Sequence, residues 1–219
     1  MPPTLRPALA LLTTVLLLPT PASAFYTPLS DQAVREAYFI GQRHDESTAR
    51  ALNSYTKLLP APKNGPHIAA ISFLTPFALV VQYSNLQSDY SAQQAERDHD
   101  PDKEVVSIQI EIALTPSYGP FITKPTGSRS GSPIGYQLRS AYFWRAFEFQ
   151  IFDGKEEISS DRISGEPLYQ CSDGGCNLTG ATVHIQFPAT AFTSDTATIE
   201  VTPPEGDAVS VDFDLSTLR

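Results

Sequence analysis

The stretch "EVVSIQIEIAL", residues 104–114, sets Val106, Ile108, Ile110, Ile112 and Leu114 against the intervening Ser107, Gln109, Glu111 and Ala113. A period of two puts one set on each face of an extended chain. One oily face and one wet face mark an antiparallel strand, because parallel α/β cores read as near-continuous apolar runs. The rhythm returns in Phe147, Phe149 and Ile151, in Val183, Ile185 and Phe187, in Ala197, Ile199 and Val201, and in Val209, Val211, Phe213 and Leu215. Two sheets stacked face to face would bury these side chains, each worth about 1.5–3 kcal/mol before chain entropy is subtracted.

Upstream of residue 102 the period is nearer 3.6. Ser30 and Asp31 can cap a helix running to about His44, with Val34, Ala37, Tyr38 and Gly41 on one face. Asp45 or Ser47 can cap a second, whose stripe of Ala51, Leu52, Tyr55, Leu58 and Leu59 ends at Pro60. These predict a helical hairpin. "HIAAISFL", residues 67–74, is short and bounded by turn residues, so a strand is expected. Thr75 and Pro76 start a helix to about Leu86, and Ser91 caps a short one over "AQQAERDH".

The expected fold is therefore α+β. Residues 1–24 form a leader, 25–101 a mainly helical N-terminal part, and 102–219 an antiparallel β-sandwich of about six to eight strands carrying a long loop at 115–141. The last hairpin, "ATIEVTPPEGDAVSVDFDL", resembles the closing hairpin of immunoglobulin-like or fibronectin-like sandwiches in bacterial exported proteins. The likeness covers the final forty or so residues and implies a fold, not an activity.

"MPPTLRPALALLTTVLLLPTPASA" has Arg6 before an apolar run from Ala8 to Leu18, then Ala22-Ser23-Ala24, the small-x-small pattern of a cleavable signal peptide. The run is too short to span a bilayer, which takes about 20 residues. A secreted or periplasmic product is expected, cut after Ala24. The formal charge of −9 becomes −10 when Arg6 leaves with the leader. Such acidity argues against a nucleic-acid partner, which favours a basic face, and against docking on an anionic membrane.

Export would place Cys171 and Cys176, the two cysteines in "CSDGGC", in an oxidising space, where a disulfide is expected. Gly174 and Gly175 allow the chain to reverse between them. Zinc would need two more ligands, and no Cys or His stands at metal-motif spacing. The ring is small, so the clip should contribute only about 2 kcal/mol.

Candidate chemistry is sparse. Asp98, Asp100 and Asp102 in "DHDPDKE" match the front half of an EF-hand-like calcium loop. The back half is missing, since Lys103 and Gln109 stand where glycine and glutamate belong, so a solvated acidic linker is the competing expectation. Between Glu111 and Glu148 there is no acidic residue, whereas Lys124, Arg129, Arg139 and Arg145 all fall there. With Tyr118, Phe121 and Tyr136, these cations suit an anionic or sugar-like ligand or an acidic partner surface; long loops in compact domains are functional or simply disordered, so a mobile sandwich loop is the competing expectation. In "YFWRAFEFQIF", Phe147, Phe149 and Ile151 read as core, while Tyr142 and Trp144 on the opposite face read as a surface patch. The candidate ligand- or partner-binding residues are thus Lys124, Arg129, Tyr136, Arg139 and Trp144.

His44, His67, His99 and His184 show no metal-site spacing, and Ser54-Tyr55-Thr56-Lys57 matches S-x-x-K without the elements that give that motif its mechanism. Asn177-Leu178-Thr179 fits a glycosylation acceptor. The leading expectation is a non-catalytic exported protein binding a partner or ligand through the basic loop. The alternative is a carboxylate-based hydrolase of extracellular polymers with its site between helices and sheet. A structural or assembly subunit would instead reveal itself by an uncovered edge strand.

Overall fold

The computed structural model describes residues 24–125 and 134–219; the leader, apart from Ala24, lies outside the described residues. In chain order the elements are α1 (Asp31–Gly41), α2 (Glu46–Asn53), β1 (Thr56–Leu58), β2 (His67–Leu74), α3 (Pro76–Leu86), α4 (Ala92–Asp98), β3 (Val105–Ala113), β4 (Phe121–Pro125), β5 (Ile134–Leu138), β6 (Glu148–Asp153), β7 (Glu156–Ile158), β8 (Arg162–Ser172), β9 (Gly175–Pro188), β10 (Thr196–Thr202) and β11 (Val209–Asp214). The fold is mixed α+β and all strand pairings are antiparallel among the described residues. No helix among these residues is long and apolar enough to cross a membrane.

Two sheets hold the core. One runs β1-β2-β3-β9-β8 and the other β11-β10-β6-β7. Their alternating apolar residues meet in a single cluster, with Ile108, Ile110 and Ile112 of β3, Val183 and Ile185 of β9, and Ile199 and Phe213 of the second sheet all buried in it. Every side chain that the period of two assigned to the interior lies in this cluster or packs against it. Phe73, Phe192 and Phe213 bring aromatic rings to its centre, the first two edge-on at 4.9 Å.

The far face of β3 is partly covered, contrary to simple alternation, although Glu111 stays exposed. Ser107 is buried and Gln109 half-buried, with Gln109 Nε2 donating to Gln82 Oε1 of α3 at 3.3 Å. Helix α3 begins as expected, with Thr75 Oγ1 accepting from the Ala78 N–H and Pro76 in the first turn. Helix α1 packs chiefly on α3 rather than on α2. Gly41 permits this approach: a Cβ there would stand 2.4 Å from the Val81 carbonyl oxygen. Val34, Ala37, Tyr38, Phe77, Val81 and Ala95 form the resulting helical cluster.

The second helix is shorter than its apolar stripe predicts. It starts on Asp45, whose carboxylate accepts from the Ser47 and Thr48 N–H groups, but ends at Asn53. Beyond it the backbone joins the sheet: Phe73 N–H donates to the Tyr55 carbonyl at 2.9 Å, Leu59 N–H donates to the Ala69 carbonyl at 3.0 Å, and Thr56–Leu58 pair with β2. Sheet hydrogen bonds available along β2 outcompete one further turn of a short and marginal helix. Leu58 is left 82% exposed, while Tyr55 is buried against Leu74 and Ala78.

Candidate functional site

The disulfide forms as expected. Cys171 and Cys176 sit directly opposite each other near the end of the β8–β9 hairpin, with Cα atoms 4.0 Å apart. Gly175 takes a φ of 118°, which L side chains avoid; Gly174 is not in the left-handed region, so one glycine suffices for the reversal. The bridge lies at an exposed tip and pins that tip alone.

Much of the stretch read as a loop is a β-arm. Its base is Tyr118, buried in the core beneath Arg139, whose guanidinium carbon stands 3.5 Å from the ring centre. Burial pushes the Tyr118 hydroxyl up, with Arg139 opposing. Arg139 Nε also donates to the Gly119 carbonyl at 2.8 Å, and its N–H to the Pro120 carbonyl at 2.7 Å, so the chain leaves and re-enters the body at one point. Beyond it β4 and β5 pair, among the described residues, only with each other.

The pairing decides which side chains share a face. Phe121 opposes Leu138 and Thr123 opposes Tyr136, so Phe121, Leu138 and Tyr136 lie together on one side of the arm. They are 60%, 67% and 78% exposed. Tyr142, just beyond the arm, is 55% exposed with the Arg145 guanidinium 4.9 Å from its ring centre.

The candidate binding residues therefore separate. Tyr136 is on the exposed face. Arg139 is committed to Tyr118 and to the base of the arm. Lys124 occupies a strand position whose side chain is outside the described residues, and Arg129 lies outside them altogether. Trp144 does not join a surface patch: it is buried, and its ring occupies the place of a missing side chain, since a Cβ on Gly165 would stand 2.5 Å from its Cε2 atom. The segment Phe143–Ala146 is a 3₁₀ turn, not a strand, so alternation does not govern Trp144. Leu138 escaped the sequence reading, although the alternation in "IGYQL" marks it.

The acidic run does not converge. Asp100 caps the turn at Pro101–Lys103, accepting from the Asp102 N–H at 3.1 Å and from Lys103 Nζ at 2.7 Å. The bond from Lys103 first, then that from Asp102, holds its carboxyl below the usual range. Among the described residues no three His, Cys, Asp or Glu side chains gather as metal ligands would.

A cleft of about 540 Å³ opens between α3, α4 and the start of β3, lined by Leu79, Tyr83, Tyr90, Asp98, His99 and Glu104 among others. Glu104 is buried and holds down the N-terminal segment: it accepts from the Thr27 hydroxyl and, at 2.6 Å, from the Leu29 N–H. His99 Nε2 is 3.0 Å from the Glu104 carboxylate but outside hydrogen-bond alignment, and it is sealed from solvent. The Tyr83 and Tyr90 rings meet nearly at right angles, 5.0 Å apart. Burial raises the Tyr90 hydroxyl, and the neighbouring Asp98 carboxylate adds to the rise. Of the three carboxylates around this cleft, Asp100 is paired with Lys103 and Glu104 is engaged with the N-terminal segment.

No protein-family model matches this chain, and no curated protein matches it either.

Proposed function

We propose that this is an exported, non-catalytic protein whose two sheets form a sandwich of the immunoglobulin- or fibronectin-like kind and whose β4–β5 arm docks a partner protein with an acidic surface. The observation that carries this reading is the apolar face of Phe121, Tyr136 and Leu138, which stands exposed on an arm whose strands, among the described residues, pair only with each other. Contiguous exposed apolar side chains on a soluble domain mark interaction sites, and aromatic residues are favoured as interface anchors. The acid-free run from residue 112 to 147 gives the partner's sign, since its lysine and three arginines stand in a chain that is otherwise strongly acidic.

Secretion or residence in the periplasm rests on the leader-like N-terminus and on the disulfide, which persists in oxidising compartments. The sandwich rests on the single apolar cluster shared by both sheets. A Phe121→Ser/Leu138→Ser double variant tests the docking role. Compared with the wild type as bait in the native culture fluid or envelope extract, it is expected to lose the co-eluting acidic partner while its melting temperature stays within a degree or two. Retention of the same partner by the variant overturns the arm as the docking site.

A second reading has its own observation. Strand β8 ends its sheet, and its eleven residues are almost all exposed. Uncovered edges of this length pair with other strands, so assembly through β8 is the competing role. A proline placed at an outward-facing N–H of β8 would abolish such assembly and leave arm-dependent binding intact.

A further inference from the structure

A second recognition site, independent of the arm, lies in the cleft between the helices and the start of β3. We propose that this cleft binds a small organic ammonium group, with the Tyr83 and Tyr90 rings as its walls and the Asp98 carboxylate as counter-charge. The Tyr83 and Tyr90 rings touch edge to face, and both residues line the cleft. The negative face of an aromatic ring attracts a cation, and quaternary ammonium ions are commonly recognised by aromatic side chains.

The charges around the cleft agree with a cationic guest. Asp98, Asp100 and Glu104 face it with Lys103 as the opposing cation, and Lys103 is bound to Asp100. With Asp100 paired to Lys103 and Glu104 buried under the N-terminal segment, Asp98, exposed at the cleft, is the carboxylate left to meet a ligand. Leu79, Val80 and Pro76 supply apolar surface for methyl groups. The site is built from α3, α4 and the segment before β3, so the packing that fixes these elements also fixes the site.

Choline tests the assignment, with 3,3-dimethylbutan-1-ol as its uncharged isostere. Titrated into the protein carrying ring-labelled tyrosine, choline is expected to shift the Tyr83 and Tyr90 resonances saturably, and the isostere to bind at least tenfold more weakly. Tyr83→Leu and Asp98→Asn should each weaken choline at least tenfold. Tyr83 is 51% exposed, so its replacement keeps the fold, and an unchanged melting temperature verifies that. Phosphatidylcholine vesicles separate the two sources of this chemistry: co-sedimentation abolished by Tyr83→Leu assigns a lipid headgroup, whereas binding of free choline alone assigns a soluble ligand. The proposal is overturned if choline leaves both tyrosines unmoved, if the isostere binds equally well, or if Asp98→Asn binds choline as the wild type does.

Discussion

Two hairpins of this protein carry the same kind of sequence and meet opposite fates. In β10–β11, Ala197, Ile199, Val201, Val211 and Phe213 recur at every second position and are buried. In β4–β5, Tyr136 and Leu138 alternate along one strand, Phe121 stands opposite Leu138 on the other, and all three are exposed. Both hairpins gather apolar side chains on one face; what differs is whether a second layer arrives. The β10–β11 pair sits in a four-stranded sheet that faces β2, β3 and β9, while the arm leaves a base anchored by Tyr118 and its strands, among the described residues, pair only with each other. Alternation makes a face, and only tertiary contact decides whether that face becomes core or contact surface.

The contrast can be broken most sharply by truncating one residue in each hairpin. Ile199→Ala should cost about 2–5 kcal/mol in urea unfolding, because a fully buried side chain leaves a cavity. Leu138→Ala should change stability by no more than about 0.5 kcal/mol, as exposed substitutions do. Equal losses would mean that the arm is packed.

Gly165 probes the seam between the arm's base and the sheet. Gly165→Ala places a methyl group against the Trp144 ring and should cost about 1–3 kcal/mol, with a red shift of tryptophan fluorescence as the ring is displaced. An unshifted spectrum would show that the ring is not seated there. A loss of similar size, about 1–3 kcal/mol, is expected for Asp153→Ala. The buried Asp153 carboxylate accepts from the Thr193 N–H, the Thr193 hydroxyl and the Ser194 N–H, and these donors would be left unpaired beside the core hairpin.

The hairpin tip should matter less than the sheets below it. Reduction of Cys171–Cys176, or its replacement by serines, should lower stability by at most about 2 kcal/mol, because the closed loop is short. A larger loss would make the tip part of the cooperative unit.

The smallest effect expected is at the surface pair of Glu36 and Arg219. Arg219 Nη1 and Nη2 donate to the two oxygens of Glu36 at 2.7 and 2.9 Å, and this bond holds the Glu36 carboxyl below its ordinary value. A depressed carboxyl stabilises the fold above its unfolded pKa and loses that contribution as pH falls through its folded value. The melting temperatures of wild type and Glu36→Gln should therefore differ slightly at neutral pH and converge in acid. Both side chains are about half exposed, so high salt should shrink the gap.

The local signals were strong wherever backbone and side chain are satisfied by near neighbours. The caps at Ser30, Asp45, Thr75 and Ser91 were legible because a hydroxyl or carboxylate meets an N–H two or three residues on. The strand hidden in the tail of the second helix was not, because Tyr55, Leu58 and Leu59 carry an apolar spacing that continues the helical stripe and the choice fell to hydrogen bonds from β2. Trp144 was misjudged because its seat is a glycine twenty-one positions away, and no local period records that absence of a side chain. Of the candidate sites, Tyr136 and Phe121 could be seen as aromatics in a basic stretch. The Tyr83, Tyr90 and Asp98 group could not, since its members come from two helices and the gap between them.

By itself, the sequence determined the core strands β2, β3, β6, β9, β10 and β11, the helix starts and the cysteine pair, since each follows from rules acting over a few residues. Tertiary structure alone decided that α1 rests on α3, that one face of β4–β5 stays uncovered, and that two tyrosines and an aspartate meet in a cleft. The reason is physical: periodicity and capping are energies of neighbours along the chain, whereas burial and charge convergence depend on which distant surfaces are brought together to exclude water.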